Sequence, residues 1–165
     1  MDAAIGIRPY EPRDHAEVVE LVAGVLAEFG LGSLTEAVER DLAAVATPRD
    51  VPRDAPRDAP RDAPAGFWVA DAAGVVVGTV AVRGVDGRTC ELKRLYLRAA
   101  RRGQGLGQRL YRHAEDFARG AGYARVRAES SRRFVQAHRL YERNGFVRVA
   151  SLDNAWEDDV FEKDL

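Results

Sequence analysis

A length of 165 residues suits about one domain, and 46% hydrophobic residues supply a core for it. A net charge of −1 argues against a general nucleic-acid binder, and the longest apolar stretches fall short of the roughly 20 residues that span a bilayer. Cys90 is the only cysteine, which excludes an intrachain disulfide; with no secretory pattern at the N-terminus, the expected compartment is the cytoplasm.

Residues 4–8 alternate weakly and stop at Pro9, predicting a short strand. Asp14 stands where a cap would open a helix over 14–29, with Val18, Leu21, Val22, Val25 and Leu26 as its apolar face. Gly30 and Gly32 end it. Ser33 and Glu36 have capping-box spacing and open a second helix over 34–46, striped by Leu34, Val38, Leu42 and Val45. From 48 to 64 the chain repeats PRDV, PRDA, PRDA, PRDA, P. A proline every fourth residue forbids helix and regular sheet, so a disordered, extended loop is expected. A linker-like surface loop is the favoured reading of this segment; a docking segment or substrate lid is the other.

Residues 67–71 and 75–83 then read as a hairpin turning at Ala72-Ala73-Gly74, and Gly78 marks a bulge or a close backbone approach. A third strand follows over 88–97; these meandering strands are expected to be antiparallel. A basic turn, 98–102, leads into Gly103, Gly105 and Gly107 and a helix over 107–119 that packs Leu110, Ala114, Phe117 and Ala118 inward. The strand over 123–128 must run parallel to the one before that helix, because strand–helix–strand crossovers are right-handed and parallel. A helix over 133–143 closes at Asn144-Gly145, and strands over 146–150 and 160–163 finish the chain. The order predicts an α/β domain: a mixed central sheet with antiparallel N-terminal strands and a βαβ core.

The stretch 95–110, LYLRAARRGQGLGQRL, joins a strand end, a glycine-rich turn and a helix start. That combination makes an anion site: the glycines allow tight turning and close approach, and the first helical turn offers unpaired N–H groups at the positive end of its dipole. A P-loop would need Lys and Ser or Thr after the last glycine, whereas Gln108 and Arg109 stand there. The G-x-G-x-x-G dinucleotide fingerprint also fits poorly, since the spacing is Gly103-x-Gly105-x-Gly107 and antiparallel strands precede it.

Arg-x-x-Gly-x-Gly, filled by Arg102, Gly105 and Gly107, resembles the acyl-CoA pyrophosphate loop of the GNAT acyltransferase superfamily. Leu95-Tyr96-Leu97 is similar to the strand that pairs with the pantetheine arm in that family. Ala137-His138-Arg139-Leu140-Tyr141 followed by Asn144-Gly145-Phe146 resembles its second signature, A-x-x-L-Y-x-x-x-G-F, and the opening IRPYEPRD looks like its usual start. The resemblance covers the chain except the repeat and implies a single domain of the GNAT (acyl-CoA N-acyltransferase) fold. It implies an N-acetyltransferase that passes an acetyl group from acetyl-CoA directly to a primary amine of a small molecule or peptide, as a monomer or homodimer. The competing class is a non-catalytic CoA sensor or scaffold that docks a partner through the proline repeat.

On this resemblance the cofactor is held by Leu95, Tyr96, Leu97, Arg102, Gly103, Gln104, Gly105, Leu106, Gly107 and Gln108, with the backbone amides of 103–108 on the pyrophosphate. Tyr141 is the general acid at the thioester sulfur. The family commonly has Asn three residues before the position of Ala137; here it is Phe134, which is expected to pack instead. Glu91, eleven positions ahead of Arg102, is the first candidate for the base, and a salt bridge with Lys93, Arg94 or Arg88 is its structural alternative. Glu129 is the second candidate. Cys90 should face away from Glu91 and reads as a small apolar residue rather than a nucleophile. His15, His113 and His138 lack metal-ligand spacing, so no metal is expected. The acidic stretch holding Asp153, Glu157, Asp158 and Asp159 favours a cationic acceptor over an anionic one.

Overall fold

The computed structural model describes residues 4–46 and 65–165, so the proline repeat lies outside the described residues. Seven strands form one sheet: β1 (Ile5–Pro9), β2 (Gly66–Ala72), β3 (Val75–Gly84), β4 (Thr89–Leu97), β5 (Arg125–Ser131), β6 (Val147–Ser151) and β7 (Asp158–Asp164). Their order is β1-β2-β3-β4-β5-β7-β6. Every neighbouring pair is antiparallel except β4 and β5, which are parallel and joined through α3 (Leu106–Gly120), as the crossover rule requires.

Helices cover both faces. α1 (His15–Glu28) and α2 (Thr35–Ala46) bury Val18, Leu21, Leu26, Val38 and Leu42 against Phe67, Val69, Val76 and Ala81. α3 and α4 (Val135–Arg143) bury Leu110, Tyr111, Ala114, Leu140 and Tyr141 against Val80, Val82, Leu92, Val126 and Ala128 on the other face. β3 therefore reads as a nearly continuous apolar run, because it is covered on both sides. Gly78 marks a tight approach: a Cβ there would lie 2.6 Å from Leu97 Cδ2 and 3.0 Å from Leu110 Cδ1. No helix among the described residues is long and apolar enough to cross a membrane.

Two local expectations shift. The strand expected over 123–128 lies at Arg125–Ser131 instead. The Tyr123 amide closes α3 by bonding Ala118 O, its ring is buried, and pairing with β7 extends the strand to Ser131. Asp14 does not cap α1 with its side chain. Its carboxylate accepts from the Glu11 amide at 2.8 Å and takes a bidentate pair from Arg8 at 2.7 and 2.8 Å, while Arg8 also holds Asp71 at 2.8 and 3.0 Å. This triad ties β1, the turn before α1 and β2 together, which gives the IRPYEPRD opening a structural meaning.

The hydrogen bond from Arg8, opposed by burial, holds the Asp14 carboxyl below the usual carboxylate range. Its contribution is therefore fully present above the unfolded pKa and is lost as pH falls through the lowered folded one. Asp14→Asn is expected to destabilise the fold by about 2–3 kcal/mol at neutral pH, read from the urea midpoint. The lower end of the buried-pair range applies because Arg8 keeps 25% of its side chain exposed. The gap between variant and parent should close in acid; an equal gap at all pH values would remove the ion pair as the cause.

Candidate active site

β4 and β5 pair over only four rungs, Thr89–Leu92 with Arg125–Ala128. Beyond them β4 continues against β3 alone and β5 against β7 alone, so the middle of the sheet parts into a wedge. A bulge in β4 lies at the apex. Two steps on β3, Thr79 to Ala81, face three on β4, Lys93 to Tyr96, and Arg94 takes a φ of 54°. The Thr79 hydroxyl donates to Arg94 O at 2.7 Å and fixes the distortion. Bulges re-aim the strand that carries them. Arg98 N bonds Val77 O across to β3, so strand alternation turns the main-chain groups of Leu95 and Leu97 toward the wedge.

The glycine turn follows. Gly103 and Gly105 have φ of 73° and 78°, and added Cβ atoms would meet nothing within 4 Å, so conformation and not crowding demands glycine. Gly105 caps α3 in the left-handed region, and the first amide of the helix with an internal partner is Arg109, bonded to Gly105 O. The amides from Gly103 to Gln108 are thus left pointing outward at the positive end of a 15-residue helix. A Cβ added at Gly107 would meet Leu97 and Leu140 at ordinary contact distance, and Leu106 is buried.

The side chains here mostly serve to brace the turn. Arg102 donates to Leu97 O at 3.0 and 3.2 Å, forms a fork with Glu28 at 2.6 and 2.8 Å, and lies 5.5 Å from the Phe29 ring centre. Gln104 reaches back to Ala100 O at 3.0 Å. Gln108 exchanges two hydrogen bonds with Asn144 at 2.8 and 2.9 Å, and Asn144 also bonds Leu140 O. The two sequence signatures are therefore clamped directly together, a contact with no local trace in the sequence.

Tyr141, on α4, packs its ring 5.3 Å from Phe146 and 5.4 Å from Phe161. Burial, with a smaller push from Tyr96, raises its pKa. The residue is 4% exposed, its hydroxyl has no hydrogen-bond partner among the described residues, and no buried polar side-chain atom among them lacks one. The hydroxyl must therefore touch an opening. Tyr96 stacks near Phe134 at 5.9 Å, and Phe134 meets Phe29 at 4.8 Å, so Phe134 packs across from β4 as an apolar residue.

Cys90 and Leu92 belong to the α3 core, so Glu91 and Lys93 face α1 and α2. Burial pushes the Cys90 thiol up to about 12, which removes it as a nucleophile. Glu91 pairs with Arg83 at 2.6 Å, with its side chain 12% exposed. It lies on a paired rung opposite Arg127, below the wedge. Glu129 lies one position beyond the last rung on the same face, pairs with Arg127 at 2.5 Å and is 34% exposed. Across the wedge from it, Lys93 and Arg94 share Asp41 of α2 at 3.4 and 2.8 Å. No group of His, Cys, Asp or Glu that could hold a metal is found among the described residues.

The family model described as "Acetyltransferase (GNAT) family" matches residues 33–146. N-acetylaspartate synthetase of Danio rerio is 37% identical over 89 residues, which are 53% of this chain and 32% of that protein. N-acetyltransferase 8B of Homo sapiens is 38% identical over 96 residues, 54% of this chain and 42% of that protein. The chain thus spans less than half the length of these relatives. The fold matches a GNAT-family acetyltransferase of Staphylococcus aureus Mu50 with a TM-score of 0.80 at 16% identity, over 98% of this chain and 99% of that one. It matches PaiA N-acetyltransferase of Thermoplasma acidophilum, solved in complex with coenzyme A, with a TM-score of 0.71 at 20% identity over 98% and 99%.

Proposed function

This chain belongs to the GNAT acetyltransferase family, and from that premise we propose that it transfers an acetyl group from acetyl-CoA to a primary amine. The observation that carries the reading is the run of unpartnered amides from Gly103 to Gln108 directly beside a wedge edged by Leu95 and Leu97. The amides suit a pyrophosphate. The strand edge suits the amide-bearing pantetheine arm, and an N–H there polarises the thioester carbonyl. Arg102 acts through the turn it braces rather than as a free charge on the phosphates.

In the transfer, the neutral amine attacks the thioester carbon, and the tetrahedral intermediate collapses with cleavage of the C–S bond. The sulfur leaves toward the Tyr141 hydroxyl, which supplies its proton. Because burial raises the Tyr141 pKa, the hydroxyl stays protonated at neutral pH and available as a donor. The amine proton goes to a carboxylate, directly or through one water. Sequence order ranks Glu91 first, but Glu129 stands at the wedge and is the more open of the two, so the base role is assigned to Glu129. Glu129→Gln is expected to lower kcat by about 10²-fold and Glu91→Gln by much less; the reverse ranking hands the role to Glu91.

The chain is further proposed to act as a single domain. The relatives named N-acetylaspartate synthetase put amino acids into the first acceptor panel. The sensor reading draws no support, since the relatives carry acetyltransferase or synthetase names and its docking repeat falls outside the described residues. The test is calorimetric binding of CoA, followed by acetyl-CoA-dependent release of free thiol over an amine panel. Saturable CoA binding with turnover of at least one amine is expected; no CoA binding would reject the proposal.

A further inference from the structure

Lys93 and Arg94 are two adjacent cations with side chains only 15% and 9% exposed. They are the first residues of β4 beyond its last rung with β5, at the apex of the wedge. Among the described residues the carboxylate in ion-pair contact with them is that of Asp41, which they share; Glu91, which also acts on Lys93, is taken by Arg83. The cluster therefore holds one positive charge more than it compensates. Such a charge is costly in a partly desolvated setting unless something completes it. The Lys93 contact is also long, 3.4 Å against the roughly 2.8 Å of a good charge-assisted bond. Burial, the largest cause, holds the Lys93 pKa below the usual lysine value despite Asp41 and Glu91.

The surplus faces the reacting end. Arg94 acts on the Tyr96 hydroxyl, and Tyr96 in turn acts on Tyr141, so the cations and the proposed acid belong to one neighbourhood. Glu129, paired with Arg127, stands on the opposite side of the wedge, on the same face. We infer that Lys93 and Arg94 bind a carboxylate carried by the amine acceptor, which makes the acceptor class small amino carboxylates, with the amine turned toward Glu129. The inference rests on the acetyl-transfer reading of the wedge. It opposes the cationic acceptor expected from the acidic stretch at 153–159. Asp159 in that stretch is 1% exposed and already neutralised by Arg148 at 3.2 Å, Arg132 at 3.5 Å and the Ser151 hydroxyl at 2.7 Å. Asp158 accepts a hydrogen bond from the Asn154 side chain, a neutral donor that leaves its charge in place. A purely structural clamp between α2 and β4 would need one cation for one carboxylate, not two.

The test compares amino acids with their carboxamides, L-aspartate and its amides included, by acetyl-CoA turnover and by calorimetry on the CoA-loaded chain. At least one acid is expected to be preferred over its amide by about tenfold or more in kcat/KM and in affinity. Lys93→Gln should reduce that preference to about threefold or less through KM rather than kcat, with CoA affinity reporting that the variant is folded. Asp41→Asn supplies an effect of opposite sign. Freeing both cations should tighten acid binding, whereas a clamp role predicts only loss. Equal treatment of acid and amide across the set, or a preference that survives both Lys93→Gln and Arg94→Gln, overturns the inference. A chain that binds no CoA sinks the acetyl-transfer reading instead; calorimetry on the unliganded chain then still compares acid with amide, and equal binding overturns the inference on its own.

Discussion

Tyr141→Phe is expected to lower kcat by about 10²–10⁴-fold while CoA affinity stays within about threefold. The substitution isolates the hydroxyl. The ring contacts with Phe146 at 5.3 Å and Phe161 at 5.4 Å are kept, and no hydrogen bond is lost because the hydroxyl makes none among the described residues. Stability should therefore hold, and any rate loss belongs to the chemistry. A thiolate leaving without its donor must take a proton from water. Single-turnover rates with acetyl-CoA and the best amine of the panel measure the effect. A variant that turns over at the parent rate would leave Tyr141 as an aromatic packing residue and pass the acid role to another group.

The elements that sequence reading resolves best are those written in local chemistry. The β4–turn–α3 stretch combines an apolar strand, glycines with positive φ and an amphipathic helix, each legible within a few residues. The parallel pairing of β4 and β5 follows from handedness alone. What sequence reading misses is contact between distant segments. Asp41 and Lys93 are 52 positions apart, and no alternation pattern foretells that they meet across α2 and β4. Nor does it foretell that Asp14 leaves its capping place for Arg8, since a half-buried guanidinium offers a carboxylate more than a helix amide does. The parting of β4 and β5 is equally silent. Past the last shared rung β4 continues as Lys93-Arg94-Leu95-Tyr96-Leu97 and β5 as Glu129-Ser130-Ser131; neither run states that the two strands have stopped pairing, and only the loss of pairing marks where a ligand could enter. The ranking of Glu91 over Glu129 inherits that silence, because it rests on spacing along one strand and not on the position of the wedge.

Gly105→Asp should weaken CoA binding by about 10²–10³-fold with little loss of fold. Two costs add. Gly105 caps α3 with φ of 78° and ψ of −1°, a conformation that costs an ordinary residue about 1–2 kcal/mol. The built Cβ meets nothing within 4 Å, so the strain is confined to the turn and the core below it is not disturbed. The carboxylate would also stand among the outward amides of 103–108, where it competes for the same N–H groups and repels a pyrophosphate. Gly105→Ala carries the strain without the charge and should cost only about tenfold. The separation between the two variants is the informative quantity, and it should shrink as salt is raised from about 0.05 to 0.5 M, because the repulsion is screened and the strain is not. Calorimetric titration of CoA into each variant gives both numbers. If alanine and aspartate weaken binding equally at low salt, the turn positions the protein without contacting an anion, and the cofactor must be sought elsewhere on the wedge.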